Sequence, residues 1–290
     1  MNEGLQLDAF LLGAPKCGTT WLSSALEQHP ELCVSDPKEP NEIATHKGTM
    51  TRDDREPDLT RYKKFFKGKG KKIDCSVHAF ACPKAPIRIK ENWPDAKFLI
   101  CVRDPFSRTI SHWKMIRETE EDIHSGADWS DFGNAWQDSR LCKDSLYGEC
   151  FQNWISEFPR SAFLIIDAKQ LREEPEKSMQ MVCEHLEIEP YEFDFDKISN
   201  SNKAEDRKKP TSFNRKLMAF SSKIPNFLKI PIVFPLKILG INIYNSRTLT
   251  STPDFAEVDA KKAQEIMHAK VIADIQLFES LSGNSYQHWR

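Results

Sequence analysis

A short apolar segment that ends in glycine, followed by a loop and a helix, most constrains the fold of this chain. Leu7 to Gly13 (LDAFLLG) predicts a buried parallel strand, because an uninterrupted apolar run suits a strand covered on both faces. The loop 13–20 (GAPKCGTT) follows, and Thr19 or Thr20 is expected to cap the next helix. Backbone N–H groups converge at such a helix start, where the positive dipole end favours a phosphate. The alternative is that Gly18 only makes a strand-to-helix turn.

The order of residues in this loop separates it from the loops of nucleotide kinases. A kinase loop follows the pattern GxxxxGK[ST], in which a lysine and a hydroxyl residue for magnesium come directly after the second glycine. Here Lys16 comes two positions before Gly18, and Thr19 and Thr20 follow the glycine. The loop can cradle a phosphate, but it has no Lys-Ser/Thr pair to hold a metal. We therefore predict no metal site.

Short apolar segments alternate with helical patterns along the rest of the chain. The further predicted strands are 32–34, 73–77, 97–102 and 162–166. The predicted helices include 59–66, one that begins at Pro105, 147–158, 175–186 and 256–281, the last with Ile266, Met267, Ile275, Phe278 and Leu281 on one face. This alternation predicts an α/β fold: a single three-layer domain over 1–290, with a central parallel sheet and helices on both faces. Variable excursions are expected at about 45–72, 117–145 and 211–250, and the charged segment 117–145 is expected to be irregular.

Composition limits the class of protein. The chain has 41 Lys+Arg against 43 Asp+Glu, and a net charge of -2 excludes the broad basic surface of a general nucleic-acid binder. No apolar run reaches the ~20 residues of a membrane span, and the start MNEGLQLDAF has no signal-peptide pattern, so we expect a cytoplasmic protein. The eight cysteines are scattered without CxxC pairs, which favours buried or free thiols over a zinc site or a disulfide framework.

A second candidate anion site follows the predicted strand 97–102. Arg103 stands at the carboxyl end of that strand, where open α/β sheets bind ligands, and Ser111 lies about two turns into the next helix. Arginine clamps a phosphate with two parallel hydrogen bonds, and a serine hydroxyl adds a donor. Taken alone, an Arg103–Asp104 surface pair and a solvated Ser111 are the simpler interpretation. The presence of the first loop favours a second anion site.

At these two elements the sequence resembles the sulfotransferases that use 3′-phosphoadenosine 5′-phosphosulfate (PAPS). PKCGTTW at 15–21 is similar to their 5′-phosphosulfate loop, and Arg103 and Ser111, eight residues apart, are similar to their 3′-phosphate motif. Further segments look like those of glycan-modifying members: Lys38-Glu39-Pro40, 147–159 (YGECFQNWISEFP) and 281–289 (LSGNSYQHW). The resemblance implies a P-loop-like phosphosulfate loop and metal-independent, in-line transfer of a sulfuryl group from PAPS to an acceptor hydroxyl or amine.

The resemblance also implies a role for each residue of the loop. Lys16 is expected to contact the bridging and 5′-phosphate oxygens and to stabilise charge on the leaving group. The other residues expected to contact PAPS here are Cys17, Gly18, Thr19, Thr20 and Trp21, with core packing as an equal alternative for Trp21. The loop 200–210 resembles the region that closes over the 3′-phosphate. Its candidates are Lys203, Arg207, Lys208 and Lys209, and a solvated charge run is the alternative.

Three residues compete as the base that activates the acceptor. Glu39 matches the position of the catalytic glutamate in the heparan-type branch, and the alternative is a solvated loop acid. Asp74 and His78 belong to IDCSVHAF, which resembles a strand end of the family but departs from it at Cys75 and Val77. His78 is also one position away from the histidine of the cytosolic branch, so a packed ring is its alternative. We predict Glu39 first and His78 second.

The segment 224–243 is unusually apolar, but its prolines and lysines argue against a spanning helix. Packing against the domain is expected, with an apolar acceptor pocket or peripheral membrane contact as alternatives. The acceptor is expected to be a hydroxyl on a carbohydrate or glycolipid, while these patterns specify neither its identity nor the oligomeric state. The alternative functions are an ATP-dependent P-loop small-molecule kinase and a non-catalytic nucleotide- or glycan-binding relative.

Overall fold

The computed structural model describes residues 4–198, 209–210, 250–251 and 256–290. Its parallel strands are β1 (Ala9–Gly13), β2 (Leu32–Val34), β3 (Lys71–Asp74), β4 (Lys97–Val102) and β5 (Phe163–Asp167). They form one sheet in the order β2-β3-β1-β4-β5. An antiparallel pair, β6 (Lys209–Pro210) and β7 (Thr250–Ser251), is separate from this sheet. The predicted α/β fold around a parallel sheet is confirmed.

Both faces of the sheet are covered. All five residues of β1 are buried, and so are residues 98–102 of β4. Since neighbouring residues of a strand point to opposite faces, an uninterrupted buried run requires cover on both sides. In the centre, the ring of Phe98 packs 5.2 Å from Trp154 and 4.8 Å from Phe163.

α-Helices connect the strands and provide this cover. They are α1 (Thr19–Leu26), α2 (Leu59–Lys63), α3 (Ala85–Asn92), α4 (Pro105–Thr119), α5 (Glu121–His124), α6 (Phe132–Gln137), α7 (Ser139–Cys142), α8 (Tyr147–Ile155), α9 (Ala168–Glu173), α10 (Pro175–Leu186) and α11 (Ala260–Ser282). Pro105 opens α4, where its missing N–H is not needed. Asp104 caps α4 by accepting hydrogen bonds of 3.1 Å from the backbone N–H groups of Phe106 and Ser107.

Three of the predicted details are wrong. β3 ends at Asp74 instead of continuing to residue 77, because the Asp74 carboxylate accepts the Ser76 N–H and turns the chain into a 3-10 helix at 77–79. Gly18, at φ 84°, is the N-cap of α1 instead of Thr19 or Thr20. In α11, Ile266 is 39% exposed and lies outside the buried face.

The excursion at 117–145, predicted to be irregular, contains α5, α6 and α7. Trp129, Phe132 and Trp136 are buried there. The indole N–H of Trp113 donates to the Trp129 carbonyl at 2.8 Å, which fastens the excursion to α4. Tertiary packing of these aromatic rings therefore stabilises helices in a segment whose charged composition does not indicate them.

The eight cysteines all lie in the described ranges, and each is a buried free thiol. Within those ranges no group of residues could hold a metal ion, and no helix has the length and apolar character needed to cross a membrane. The prediction for 224–243 lies outside the described residues.

Candidate active site

The phosphate loop leaves the carboxyl end of β1 and enters α1. Gly13 has φ 138°, and a Cβ at this position would lie 2.4 Å from the Val77 carbonyl oxygen, so only glycine fits. The Ala14 N–H donates to the Cys101 carbonyl at 2.7 Å, which fastens the loop to β4. Gly18, the N-cap residue of α1, has no side chain that could cap the N–H groups at the start of this helix. The first turn of a helix presents backbone N–H groups that have no partner within the helix, and such donors suit an anion, as a phosphate loop requires.

The Lys16 side chain extends from this loop to α4. Lys16 has φ 70°, and its Nζ lies 3.7 Å from the sulfur of Met115. Ser111 precedes Met115 by four residues, so the two share one face of α4. The Lys16 side chain thus lies beside the face of α4 that carries Ser111, although the two residues were predicted from separate motifs.

Arg103 directly follows β4, the neighbour of β1 in the sheet. The expected alternative, an ion pair with Asp104, is not formed, because the Asp104 carboxylate caps α4. Among the described residues, the Arg103 guanidinium and the Ser111 hydroxyl make no hydrogen bond or ion pair with the protein. A half-buried, unpaired guanidinium at the carboxyl edge of a parallel sheet is suited to bind a phosphate.

Tyr147 joins the two candidate anion-binding elements. Its hydroxyl donates to the Arg103 carbonyl at 3.0 Å and lies 3.5 Å from the Cys17 sulfur. Burial raises the pKa of the Cys17 thiol to about 11. The Cys17 side chain therefore faces the protein interior, which leaves its backbone as the group that can meet a ligand.

The remaining loop residues lie at the start of α1. Thr19 is buried and Thr20 is half-buried. Trp21 is half-buried, and its ring stacks on Phe195 with centroids 5.4 Å apart and planes at 21°. This stack gives Trp21 an aromatic packing partner, as the core-packing alternative expects. The predicted contacts Lys203, Arg207 and Lys208 lie outside the described residues.

Glu39 lies beside the carboxyl end of β3. Its carboxylate pairs with Lys38 at 2.7 Å, and the Glu39 side chain is 32% exposed. The segment is anchored by the Ser35 hydroxyl, which donates to the Lys38 carbonyl at 2.9 Å, and by the Asn41 N–H, which donates to the Ser76 hydroxyl at 2.9 Å. Glu39 is therefore held on a fixed segment while its carboxylate keeps access to solvent.

Asp74 and His78, the other candidate bases, have different surroundings. Burial raises the pKa of Asp74, and both of its oxygens are engaged, one by the Tyr62 hydroxyl and the other by the Ser76 N–H at 2.5 Å. His78 is 8% exposed, and burial lowers its pKa. In the described part of the chain its ring has no hydrogen-bond partner. His78 is thus a neutral imidazole near pH 7, whereas Asp74 holds the end of β3.

Two residues of the site were not predicted from the sequence. Tyr147 was assigned only to a helix, and Arg108 was not singled out. Arg108 is completely buried, and its guanidinium donates to the Pro15 carbonyl of the phosphate loop at 3.3 Å. A detectable signal was present, because Arg108 and His112 are spaced four apart within the buried face of α4. Charged or polar side chains in such a stripe are unusual unless they have partners.

Comparison with known proteins identifies the family. A family model described as "Sulfotransferase domain" matches residues 6–226. The chain belongs to the sulfotransferase family. The predicted family and enzyme class are confirmed. Among solved structures, the sulfotransferase from Alicyclobacillus acidocaldarius has a TM-score of 0.63 at 17% identity and covers 99% of each chain, which supports the fold.

Curated relatives of this sulfotransferase act on heparan sulfate, according to their names. Heparan sulfate glucosamine 3-O-sulfotransferase 5 from Mus musculus is 28% identical over 127 residues, which are 41% of this chain and 36% of the relative. The human bifunctional heparan sulfate N-deacetylase/N-sulfotransferase 1 is 27% identical over 202 residues, 61% of this chain and 22% of that protein. The chain thus spans about a third or less of the length of these two relatives.

Proposed function

We propose that this sulfotransferase transfers a sulfuryl group from PAPS to a hydroxyl of a carbohydrate acceptor. The observation that carries the proposal is the pair of adjacent anion-binding elements on neighbouring strands. The start of α1 offers backbone donors beside Gly18, an N-cap residue without a side chain, and Arg103 offers a guanidinium that has no protein partner among the described residues. A nucleotide with one phosphate at each end of its ribose presents two anionic groups to match these two elements.

The proposed reaction is a direct displacement at sulfur. The bond between sulfur and the acceptor oxygen forms while the bond between sulfur and the bridging 5′-phosphate oxygen breaks. The electron pair of the broken bond leaves with adenosine 3′,5′-bisphosphate, and the acceptor proton passes to a protein base. Lys16 and the N–H groups of the loop stabilise the charge that develops on the leaving oxygen. The proposed step needs no metal ion, because these groups supply the positive charge.

Glu39 is the proposed base, since it combines access to solvent with a fixed backbone. Asp74 is less suited, because both of its oxygens are occupied within the protein. His78 is the second candidate, because it is neutral and has an unpaired ring among the described residues. A pH–rate profile separates the two: Glu39→Gln should abolish transfer, while His78→Asn should retain the profile of the wild type. The reverse result would assign the base to His78.

The acceptor proposal rests on the heparan-type relatives and on the match of Lys38-Glu39-Pro40 to glycan-modifying members. Its test is transfer of label from [³⁵S]PAPS to desulfated heparan-type oligosaccharides, with glycolipids and simple phenols as comparison acceptors. Label in phenols alone would contradict a carbohydrate acceptor. Binding of the bisphosphate without transfer to any acceptor in the panel would favour a non-catalytic relative.

The nucleotide proposal is tested by calorimetric titration with two ligands. Adenosine 3′,5′-bisphosphate carries both phosphates, whereas adenosine 5′-phosphate lacks the one expected to contact Arg103. Arg103→Ala should lower the affinity for adenosine 3′,5′-bisphosphate by about ten- to a hundredfold, because that is the contribution of hydrogen bonds to a charged group. The affinity for adenosine 5′-phosphate should not change. Lys177→Ala, which removes an exposed cation paired with Glu174 on α10, is the control and should change neither.

Two outcomes would contradict the nucleotide proposal. Equal weakening of both ligands by Arg103→Ala would show that Arg103 does not contact the 3′-phosphate. Magnesium-dependent phosphorylation from ATP, without binding of the bisphosphate, would establish the kinase alternative. Lys16→Ala adds a third check, because it should lower transfer far more than it weakens bisphosphate binding, since Lys16 also stabilises charge on the leaving oxygen.

A further inference from the structure

A chain of buried polar groups connects the 46–52 hairpin to the phosphate loop. The hairpin is closed by a backbone bridge between His46 and Arg52. Within it, the Thr49 hydroxyl lies 2.7 Å from His112 Nε2. His112 Nδ1 lies 3.1 Å from Nη1 of Arg108, and the same Nη1 donates to the Pro15 carbonyl at 3.3 Å.

The direction of each hydrogen bond follows from the chemistry of the groups. Arginine is only a donor, so His112 Nδ1 must accept from Arg108, and Nε2 must then carry the ring proton and donate to Thr49. Burial, followed by the charge of Arg108, lowers the pKa of His112 and keeps the ring neutral. Asp144 Oδ2 is 3.6 Å from Nδ1, too far for a hydrogen bond.

The guanidinium of Arg108 is fixed from its other sides as well. Nε donates to the Ser145 hydroxyl at 2.9 Å, and Nη2 donates to the Leu141 carbonyl at 3.4 Å. Arg108, His112 and Thr49 are all buried, so none of these bonds competes with solvent. A buried cation held in this way sets the position of the carbonyl to which it donates, because displacement would leave an unpaired charge.

We propose that Thr49, His112 and Arg108 are positioning residues that fix the Pro15 carbonyl and thereby orient Lys16, the next residue, for sulfuryl transfer. Lys16 holds a left-handed backbone conformation, which a non-glycine residue keeps only when its surroundings enforce it. The hydrogen bond to Pro15 acts on the peptide group that joins these two residues. The inference rests on the proposed function, because it assigns the role of these residues to the same loop.

The test uses two matched threonine variants of the full chain. Thr49→Val removes the hydroxyl that His112 needs. Thr45→Val is the control, because Thr45 is equally buried in the same excursion but its hydroxyl lies 3.3 Å from the Cys82 sulfur and outside the chain of groups. Thr49→Val should lower kcat by about tenfold, the effect of one unpaired buried donor, with the KM for PAPS unchanged, and Thr45→Val should retain kcat.

Two further measurements do not depend on turnover. Amide hydrogen exchange at residues 16–19 should become about tenfold faster in Thr49→Val than in Thr45→Val at equal global stability. The ¹⁵N shifts of His112 should show a proton on Nε2 in the wild type. Thr49→Val and Arg108→Lys should also be non-additive in kcat, since they interrupt one chain of groups.

These outcomes separate the two proposals. If the wild type transfers no sulfuryl group, the proposed function fails, whereas exchange and tautomer still test the positioning role. Equal exchange in the two threonine variants, equal loss of kcat in both, or a proton on Nδ1 of His112 would overturn the inference.

Discussion

Replacement of Gly13 by alanine tests whether the start of the phosphate loop requires glycine. A Cβ at Gly13 would lie 2.4 Å from the Val77 carbonyl oxygen and 3.3 Å from the Phe80 Cβ, and the residue has φ 138°. Relieving such a contact in a packed interior costs about 1–3 kcal/mol. The unfavourable φ adds about 1–3 kcal/mol. We therefore expect a loss of about 2–6 kcal/mol in the free energy of unfolding, a large part of the roughly 5–15 kcal/mol that stabilises a typical domain.

Urea denaturation followed by tryptophan fluorescence measures this loss, and Gly126→Ala is the matched control. Gly126 also has a positive φ, 74°, but nothing lies within 4 Å of the position of its Cβ. The control therefore reports the backbone cost without the steric one. If Gly13→Ala is no more destabilising than Gly126→Ala, the contact with Val77 does not constrain the loop. Because the loop follows Gly13 directly, Gly13→Ala should also weaken bisphosphate binding, which calorimetry can detect in the folded fraction.

Three further predictions concern the groups around the site. Asp274→Asn should destabilise the protein by about 1 kcal/mol, because the Asp274 carboxylate accepts the N–H groups of Gly148 and Glu149 at the start of α8. Burial raises the pKa of Asp274 from 3.8 to about 6, so the folded protein binds this proton more strongly than the unfolded chain does. The stability advantage of the wild type over Asp274→Asn should therefore shrink as pH rises from about 4 to about 6 and then level off. An advantage that stays constant with pH in urea titrations would contradict this. Burial raises the pKa of Cys17 to about 11 and that of Cys75 to about 12. Ellman's reagent should therefore label these two thiols in the folded protein at least about a hundredfold more slowly than in the unfolded chain. Rapid labelling of either thiol in the folded protein would refute its burial. Asp104→Ala should lower the melting temperature through the loss of about 1 kcal/mol of capping, and an unchanged melting temperature would count against the cap.

Elements set by local signals were predicted within a few residues of their observed bounds. β4 and α10 match their predicted ranges. An apolar run followed by a proline predicts β4, and an amphipathic repeat predicts α10, and both signals are contained in a few neighbouring residues. The helices within the excursion at 117–145 were not predicted, although the sequence carries a local signal for two of them. Asp131 and Asp138 accept the N–H groups of Asn134 and Arg140 and cap α6 and α7. Aspartate at such positions indicates a helix start.

Contacts between distant segments could not be predicted in this way. Thr49 and His112 are 63 positions apart in the sequence and meet only because the hairpin folds onto α4. The surroundings of the candidate bases also depend on contacts between distant segments, since the Asn41 N–H donates to the hydroxyl of Ser76, 35 positions away in the sequence. The two anion-binding motifs were recognisable because each is built within a single strand, loop and helix. The base was left open because its environment is assembled from several segments.

The strand order supports the proposed reaction, because it brings the separate motifs to one edge of the sheet. β3 and β2 carry the segments of His78 and Glu39, β1 leads into the loop of Lys16, and β4 leads to Arg103. Along the carboxyl edge of the sheet the order is therefore the candidate bases, the proposed phosphosulfate loop and the proposed 3′-phosphate site. An in-line displacement requires the acceptor and the leaving nucleotide to lie on opposite sides of sulfur. The position of β1 between β3 and β4 favours this arrangement in the proposed reaction, because it separates the candidate bases from Arg103 on either side of Lys16.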